Sequence, residues 1–475
     1  MNTSAQAQAA SYSAGYRFWL LTLLLLIAGF AFIDRVIMQT LGQVIKEDLS
    51  LTDLQLGVLG GLSFALLYST LGLPIARLAE RRSRVNIIAA SVGLFSVMAA
   101  LCGFAHNFWQ LFLYRVGVGI GEAGVQPPGV SLISDHFPAK RRGAAIVTMQ
   151  LGTAVGAVFG AFGGGWIAQR YGWRAAIVAL AVPGILLALL FKLTLREPPR
   201  GMCDDQSIGD ASAAPPPFLD VLRLLGSKPA FWNMMAGLGL TTMATYGWGA
   251  FTTPYAMRVF GIPVQDAGLI YALIAGVAGG TGLMLSGYTI DWISRRDQRW
   301  YAWLPALGVG CAAPSMLTAL AMPSLWPMVF AVMFGNMFTF FYQTPTIVAM
   351  QNMVSARMRA SAAFVFFFTT TLVGVGLGPA ITGLLSDLFA QGAFDLGDFN
   401  ATCPGGRAIA GAEAGVAQAC AAASTSGVKA ALTAMAVVYL WAALHYWLAS
   451  RTVRVDLGST VTPEPAGAAL SRPAR

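Results

Sequence analysis

Apolar stretches of membrane-spanning length recur from one end of the chain to the other, separated by short breaks marked by charge, glycine or proline. A helix needs about 20 apolar residues to cross the hydrocarbon core, and runs of this length and uniformity suit neither strands nor soluble helices. Reading from break to break predicts twelve spans, roughly 17–40, 54–78, 86–106, 109–134, 143–168, 174–194, 230–257, 264–290, 301–321, 325–352, 361–386 and 428–450. The widest break, 196–228, holds Pro198-Pro199, Asp204-Asp205 and Pro215-Pro216-Pro217, and it divides the spans six and six. The expected organisation is a tail at 1–16, a six-helix bundle at 17–195, a linker at 196–228, a second bundle at 229–450 and a tail at 451–475.

Of the 475 residues 56% are hydrophobic and 11% charged, a polytopic membrane composition. The net charge of +9 raises the question of nucleic acid, but topology answers it. With both termini cytoplasmic, most of the 30 Lys and Arg fall on the inner side, in clusters such as Arg77 with Arg81, Arg82 and Arg84; Lys140 to Arg142; Arg295, Arg296 and Arg299; and Arg357 with Arg359. No nucleic-acid partner is expected. Residues 1–16 lack Lys and Arg and the first run is long enough to span, so helix 1 is expected to stay as a membrane helix of a multi-pass cell (inner) membrane protein. Five cysteines and three histidines show no metal-ligand spacing, and neither metal nor cofactor is expected. Cys403 and Cys420 share the outer loop before the last span, where oxidation is possible.

Equal halves invite a search for an internal repeat. At an offset of 211, Glu80, Ser83 and Arg84 match Asp291, Ser294 and Arg295. At an offset of 218, Pro127 matches Pro345, Arg141 matches Arg359, Gly156 matches Gly374 and Gly160 matches Gly378. The repeats run parallel, as a duplicated six-helix unit. The run Gly287 to Arg296, its first-half copy Ala76 to Arg84 and the Tyr171-Gly-Trp-Arg174 run resemble the motifs of the major facilitator superfamily. The first-half copy departs from the superfamily pattern in having Ala and Ser where Gly is usual and Glu for Asp. Asp34-Arg35, the Arg115 to Ala123 run and Ser134-Asp135-His136-Phe137 resemble, more narrowly, its Spinster family. The resemblance implies an all-α membrane protein with twelve transmembrane helices in two pseudo-symmetric six-helix bundles, the major facilitator fold.

Ionisable groups inside spans are costly and mark function by default. Asp34, Arg115 and Glu122 are such groups; Arg115 and Glu122 lie two turns apart on one face, roughly 10 Å along the axis. A triad in which Arg115 is shared between the two carboxylates is a plausible proton-coupling device; the alternative is a static buried network fixing helices 1 and 4. At the matching second-half positions stand Met333 and Phe340, so the charge belongs to one half. The resemblance implies proton-linked transport at these positions. Arg35 points about 100° away from Asp34 and could greet an anionic head group, or simply snorkel or pair locally. The second half offers Tyr246, Trp248, Asn336, Phe340, Gln343 and Thr369, an aromatic wall with a few hydrogen-bonding groups suited to an amphipathic substrate. Glu80, Arg81, Arg84, Asp291 and Arg295 could latch an inner gate, or form a solvated positive-inside face. Gly152, Gly156, Gly160 and Gly164, with Gly374 and Gly378, are expected to pack helices 5 and 11 tightly across the interface between halves. His136 reads as a loop residue rather than a proton relay.

The function expected is a secondary active, proton-coupled transporter that moves an amphipathic substrate by alternating access, and the resemblance implies a lipid-like one of the lysophospholipid or sphingoid phosphate class. It would work as a monomer with protons and membrane lipids as further partners. The rivals are a proton-linked exporter of drugs or hydrophobic organic anions, and a lipid-binding sensor that moves nothing. No nucleophile-base pair or phosphate loop appears, and the Gly-x-Gly-x-Gly run from Gly117 lies in a span, so an enzyme is not expected.

Overall fold

The computed structural model describes residues 12–200, 202–203, 218–355, 358–409 and 411–458. Most of the two expected tails and the middle of the expected linker therefore lie outside the described residues, as do Asp204, Asp205 and Pro215 to Pro217 of that linker and Arg357 of the inner cluster. Among the described residues every regular element is helical. Twelve crossings follow one another: α1 (Ala14–Asp48), α2 (Asp53–Arg81), α3 (Arg84–Cys102) and α4, which comes in two pieces (Phe108–Glu122 and Gln126–His136). The continuous helix Ala139–Thr194 folds back at Gly172, whose φ of 83° only glycine adopts readily, and so supplies both α5 (139–171) and α6 (173–194). The second half follows as α7 (Pro229–Phe260), α8 (Val264–Ile293), α9 (Trp300–Ala321), α10 (Leu325–Asn352), α11 (Ser361–Gly392) and α12 (Ala414–Ala449).

Nine helices among the described residues are long and apolar enough to cross a membrane, with the α5–α6 hairpin counted once. That hairpin, the interrupted α4 and α7 complete the twelve. Large apolar side chains such as Leu186, Leu193, Phe330 and Phe334 are exposed on the outside of the bundle, as lipid-facing surfaces are. The cores lie within the halves, around Phe64, Phe95 and Phe191 in the first and Phe251, Tyr439 and Tyr446 in the second.

The glycine ridges lie at close backbone contacts, but inside each half. A Cβ on Gly152 would sit 2.0 Å from the Leu25 carbonyl oxygen and one on Gly156 2.3 Å from that of Gly29, while Gly160 and Gly164 meet Ile33 and Ile37. The partner of α5 is thus α1. Gly374 likewise meets Thr242 and Gly378 meets Met243, so the partner of α11 is α7. The expected contact of helices 5 and 11 across the halves is corrected accordingly: the duplication pairs 1 with 5 and 7 with 11, and small residues act where backbones touch.

Three helices that border the other half carry π-helical turns: Val58–Leu62 in α2, Ala272–Ala278 in α8 and Thr370–Leu377 in α11. Such turns loosen the regular ladder and leave carbonyls for side chains. The Leu59 carbonyl accepts from the Ser63 hydroxyl at 2.9 Å and from Arg115 Nε at 3.4 Å, and the Ile274 carbonyl accepts from Asn336 Nδ2 at 2.8 Å. With the end bearing the Arg81–Arg84 and Arg295–Arg299 loops named the inner end, the halves meet through a dense set of bonds at the outer end. There Thr253 donates to the Gln39 carbonyl at 2.6 Å, Tyr271 donates to the Gln39 side chain, and Asp53 is bonded by Arg258.

Candidate functional site

Helix α4 is the scaffold of the site, and its sequence explains its shape. Gly117, Gly119 and Gly121 let it lie against Met98, the Phe64 backbone and Phe95, where a Cβ would come within 2.8 Å of its neighbour. Immediately after Glu122 the helix breaks over residues 123–125 and restarts with Pro127 and Pro128 in its first turn. A proline withholds the N–H that a continuous ladder needs and disfavours helical backbone before it. Glu122 therefore ends one helical piece. The matching place in α10 is a short 3-10 turn, Phe340–Tyr342, so the break is duplicated and the charge is not.

Four charged side chains converge here as two pairs. Arg115 Nη1 donates to Asp34 Oδ2, both groups buried, with Arg115 only 1% exposed. Arg35 donates to Glu122 Oε2 through Nε at 2.9 Å and Nη2 at 2.6 Å. Glu122 is 1% exposed and its other oxygen, Oε1, is buried without a partner. The Arg35 side chain keeps 30% of its surface and lies over the rings of Phe64 and Tyr68, 4.6 and 5.0 Å from their centroids. Arg35, Glu122, Tyr68, Phe32, Gln126 and Thr153 border one small cavity of about 30 Å³. The expected triad is thereby corrected. Arg115 serves Asp34, and the partner of Glu122 is Arg35. Adjacent residues on α1 point apart, and that divergence lets Asp34 reach one part of α4 while Arg35 reaches another.

The second-half candidates fall into three groups. Tyr246 lies within electrostatic reach of Arg35 and Tyr68. Asn336 is held by the freed Ile274 carbonyl, Phe340 lies against Gly279, and Gln343 and Thr369 are half-buried. Trp248 departs from expectation: it is 3% exposed in the apolar core of the second half. A large ring on a helix with apolar neighbours gains more from the core than from a wet cavity.

The expected inner latch is not formed in this structure. Glu80, Arg81, Asp291 and Arg295 are exposed and make no ion pair among the described residues. Arg84 is buried and binds Asp135 of its own half and, at 2.7 Å, Glu197 at the start of the linker. Charged contacts between halves lie instead at the outer end, centred on Asp53. A molecule whose halves rock closes one end at a time. The residues of that outer cluster sit at helix ends, where charge is ordinary and gives no signal in the sequence. Tyr171-Gly-Trp-Arg174 pins the same end: Arg174 and Trp173 both donate to Asp48, at 2.5 and 3.2 Å. Cys403 and Cys420 form a disulfide. His136 ends α4, its Nδ1 bonded to the Leu132 carbonyl at 2.8 Å.

The model of the Major Facilitator Superfamily matches residues 23–379. The chain belongs to this superfamily. It is a multi-pass membrane transporter for a small molecule and not an enzyme. Among solved structures this facilitator resembles a bacterial homolog of the human lysosomal transporter Spinster, in an inward-facing and unoccupied conformation, with a TM-score of 0.87 and 34% identity over 95% of this chain and 100% of that one. The occupied form of the same kind of protein gives 0.85 and 33%. In sequence the facilitator is similar to an MFS-type efflux pump of Mycolicibacterium smegmatis, 29% identical over 434 residues, covering 91% of this chain and 92% of the pump. A probable L-galactonate transporter of Escherichia coli is 25% identical over 366 residues, 75% and 80% of the two chains.

Proposed function

We propose that this facilitator couples protons to the movement of an amphipathic, lipid-like anion of the lysophospholipid or sphingoid phosphate class. The observation that carries the reading is the Arg35–Glu122 pair: a fully buried carboxylate with one unpartnered oxygen, bonded to an arginine that borders a cavity. While Glu122 is ionised it holds the guanidinium. A proton taken at Oε1 cancels the charge, weakens both bonds, and frees Arg35 to receive an anionic head group in bidentate fashion. Proton and anion then bind together. Asp34 and Arg115 remain paired and hold α1 against α4, with Tyr246, Asn336, Phe340, Gln343 and Thr369 offering the apolar and hydrogen-bonding surface for the rest of the substrate. The units 17–195 and 229–450 rock about that centre. The resemblance to Spinster-like structures supports the lipid class, and the similarity to an L-galactonate transporter supports an anion. We place the protein as a monomer in the inner membrane with both termini cytoplasmic, following the Lys and Arg bias.

Export of drugs or hydrophobic organic anions is the second reading, favoured by the likeness to an efflux pump along nearly the whole chain. Proteoliposomes with an imposed pH gradient distinguish these. Accumulation of a labelled lysophospholipid that follows the gradient, and a Glu122→Gln variant that has lost this dependence, support the proposal. Accumulation indifferent to the gradient in both proteins sinks proton coupling. Gradient-driven flux of hydrophobic drugs but not lysolipid selects the second reading, and tight lipid binding with no flux selects the sensor.

A further inference from the structure

The inner end of the second half carries three arginines laid against indole rings. The Arg296 guanidinium lies 4.6 Å from the centroid of Trp292, that of Arg451 4.1 Å from Trp447, and that of Arg299 5.9 Å from Trp303. Trp292 and Arg296 stand at the end of α8, Arg299 and Trp303 at the start of α9, and Trp447 and Arg451 at the end of α12. Asp297 draws these ends together. From beyond α12, Arg454 donates to it through Nε at 2.8 Å and Nη2 at 2.6 Å, and the Arg299 backbone N–H donates at 2.8 Å. From there α9 and α12 run side by side into the membrane, and a Cβ on Gly310 would lie 3.7 Å from that of Ala443. Trp292 and Trp447 are 60% and 46% exposed, so two of the three rings face the bilayer rather than the core. Leu307 of α9 and Leu440 and Leu444 of α12 continue the exposed apolar surface away from the loop.

The charge of this corner is unspent. Arg295, Arg296, Arg299 and Arg451 have no carboxylate partner among the described residues, and Arg299 Nε is buried without a bond. Of the nearby acids, Asp297 is taken by Arg454, Asp456 accepts from the Ala230 N–H at 2.8 Å in the first turn of α7, and Asp291 is exposed. The internal repeat supplies the control. The offset of 211 sets Arg84 against Arg295, and Arg84 is buried with Asp135 and Glu197. At the places of Arg296, Arg299 and Trp303 the first half has Val85, Ile88 and Val92, all buried in its core. Both inner loops are basic, as topology requires, but the pairing of arginine with tryptophan belongs to the second.

We propose that this corner, formed by the α8–α9 loop and the end of α12, is a binding site for an anionic phospholipid of the inner leaflet. Arg296, Arg299 and Arg451 receive its phosphate, and the three indoles set its depth. An indole covers one face of a guanidinium and leaves the N–H edge free, and that planar edge matches two phosphate oxygens. Stacking also holds the side chains in place beforehand, so less rotamer freedom is lost on binding. Tryptophan settles at head-group level, and basic clusters at the cytoplasmic end of a span draw anionic lipid. The acyl chains then lie along the exposed Leu307, Leu440 and Leu444. A free phosphate ester would engage the arginines but leave this apolar surface unused. The inference is independent of the transported substrate and of proton coupling at Glu122.

The test is lipid retention, counted by native mass spectrometry on the full-length protein given equal amounts of phosphatidylglycerol and phosphatidylcholine. The parent should retain phosphatidylglycerol in preference. Arg296→Gln, Arg299→Gln and Arg451→Gln combined should lower that preference by about tenfold. Arg77→Gln, Arg81→Gln and Arg82→Gln combined remove the same charge from exposed positions of the first-half loop and should leave the preference as in the parent. Arg451→Gln alone, at an exposed position, should lower it several-fold and serves where the triple variant fails to fold. Equal uptake of the two lipids by the parent overturns the site. An equal fall in both triple variants does so too, since it reports only the general attraction of a basic face. Displacement of the lipid by soluble glycerol phosphate at matched concentration assigns the arginines to a free phosphate ester and overturns the lipid.

Discussion

Two buried ion pairs a few residues apart should respond very differently to the same chemical change. In Asp34→Asn the Arg115 guanidinium loses its counter-charge while remaining 1% exposed, with only neutral acceptors left to it, the new amide oxygen and the Leu59 carbonyl at a long 3.4 Å. An uncompensated buried charge of this kind costs about 3–5 kcal/mol. Glu122→Gln strands a different arginine. The Arg35 side chain retains 30% of its surface, stacks on Phe64 and Tyr68, and borders a cavity that admits water, so its charge is re-solvated by a small rotation. The substitution also removes a carboxylate that had one oxygen buried without a partner. Loss and relief are opposed, and the net change should lie within about 1 kcal/mol of zero. Unfolding by SDS titration in mixed micelles measures both variants on one scale, with circular dichroism as the signal. The expected order is a large loss for Asp34→Asn and near neutrality for Glu122→Gln. Equal losses, or a silent Asp34→Asn, would refute the division into a structural pair and a labile one.

Other outcomes follow from single contacts. Gly156→Ala drives a methyl to 2.3 Å from the Gly29 carbonyl oxygen and should cost several kcal/mol or abolish folding, whereas Gly163→Ala meets open space and should change stability by less than about 0.5 kcal/mol in the same titration. Glu197, beyond the end of α6, tests pH dependence. Burial pushes its carboxyl up, but the Val85 N–H, Arg84 and the Ser83 hydroxyl outweigh this and hold its pKa below the ordinary 4.5. A depressed folded pKa adds stability above the unfolded value that is lost as pH falls from about that value through the folded one. The melting-temperature gap between parent and Glu197→Gln should accordingly be full at pH 7 and shrink below pH 4.5; a gap that persists or widens in acid contradicts the assignment. Removing the Cys403–Cys420 bridge, which spans 17 residues, should cost about 2–4 kcal/mol, and the double Ser variant should no longer respond to reductant. A parent insensitive to reductant would count against the bridge.

Much of the fold is legible in the apolar rhythm, because a bilayer leaves a helix as almost the only way to satisfy a backbone. The kink at Gly172 and the break after Glu122 are foreshadowed by the Tyr171-Gly-Trp-Arg174 and Gln126-Pro127-Pro128 runs. The charged centre is half legible. The cost of burying Asp34, Arg115 and Glu122 singles them out, but the spacing along one helix says nothing of how α1 is rotated against it. For Arg35 the sequence leaves a substrate head group, the interface and a local partner all open, and the structure pairs it with Glu122. Trp248 was misplaced for a related reason, since an aromatic residue reads alike whether it faces a cavity or a core.

What the sequence determines by itself is local or periodic: twelve spans, a duplicated unit, which half carries intramembrane charge, and where glycine permits close approach. Each of these follows from one residue type in one solvent. What the tertiary structure decides is pairing. It matches Arg115 to Asp34 and Arg35 to Glu122, sets the glycine ridges against α1 and α7, and gathers Asp53, Lys46, Arg258 and Asp387 into an outer seam. Pairing depends on the rotation and depth of one helix against another. Those are fixed by the sum of many weak contacts between elements far apart in the chain, and no single stretch of sequence contains that sum.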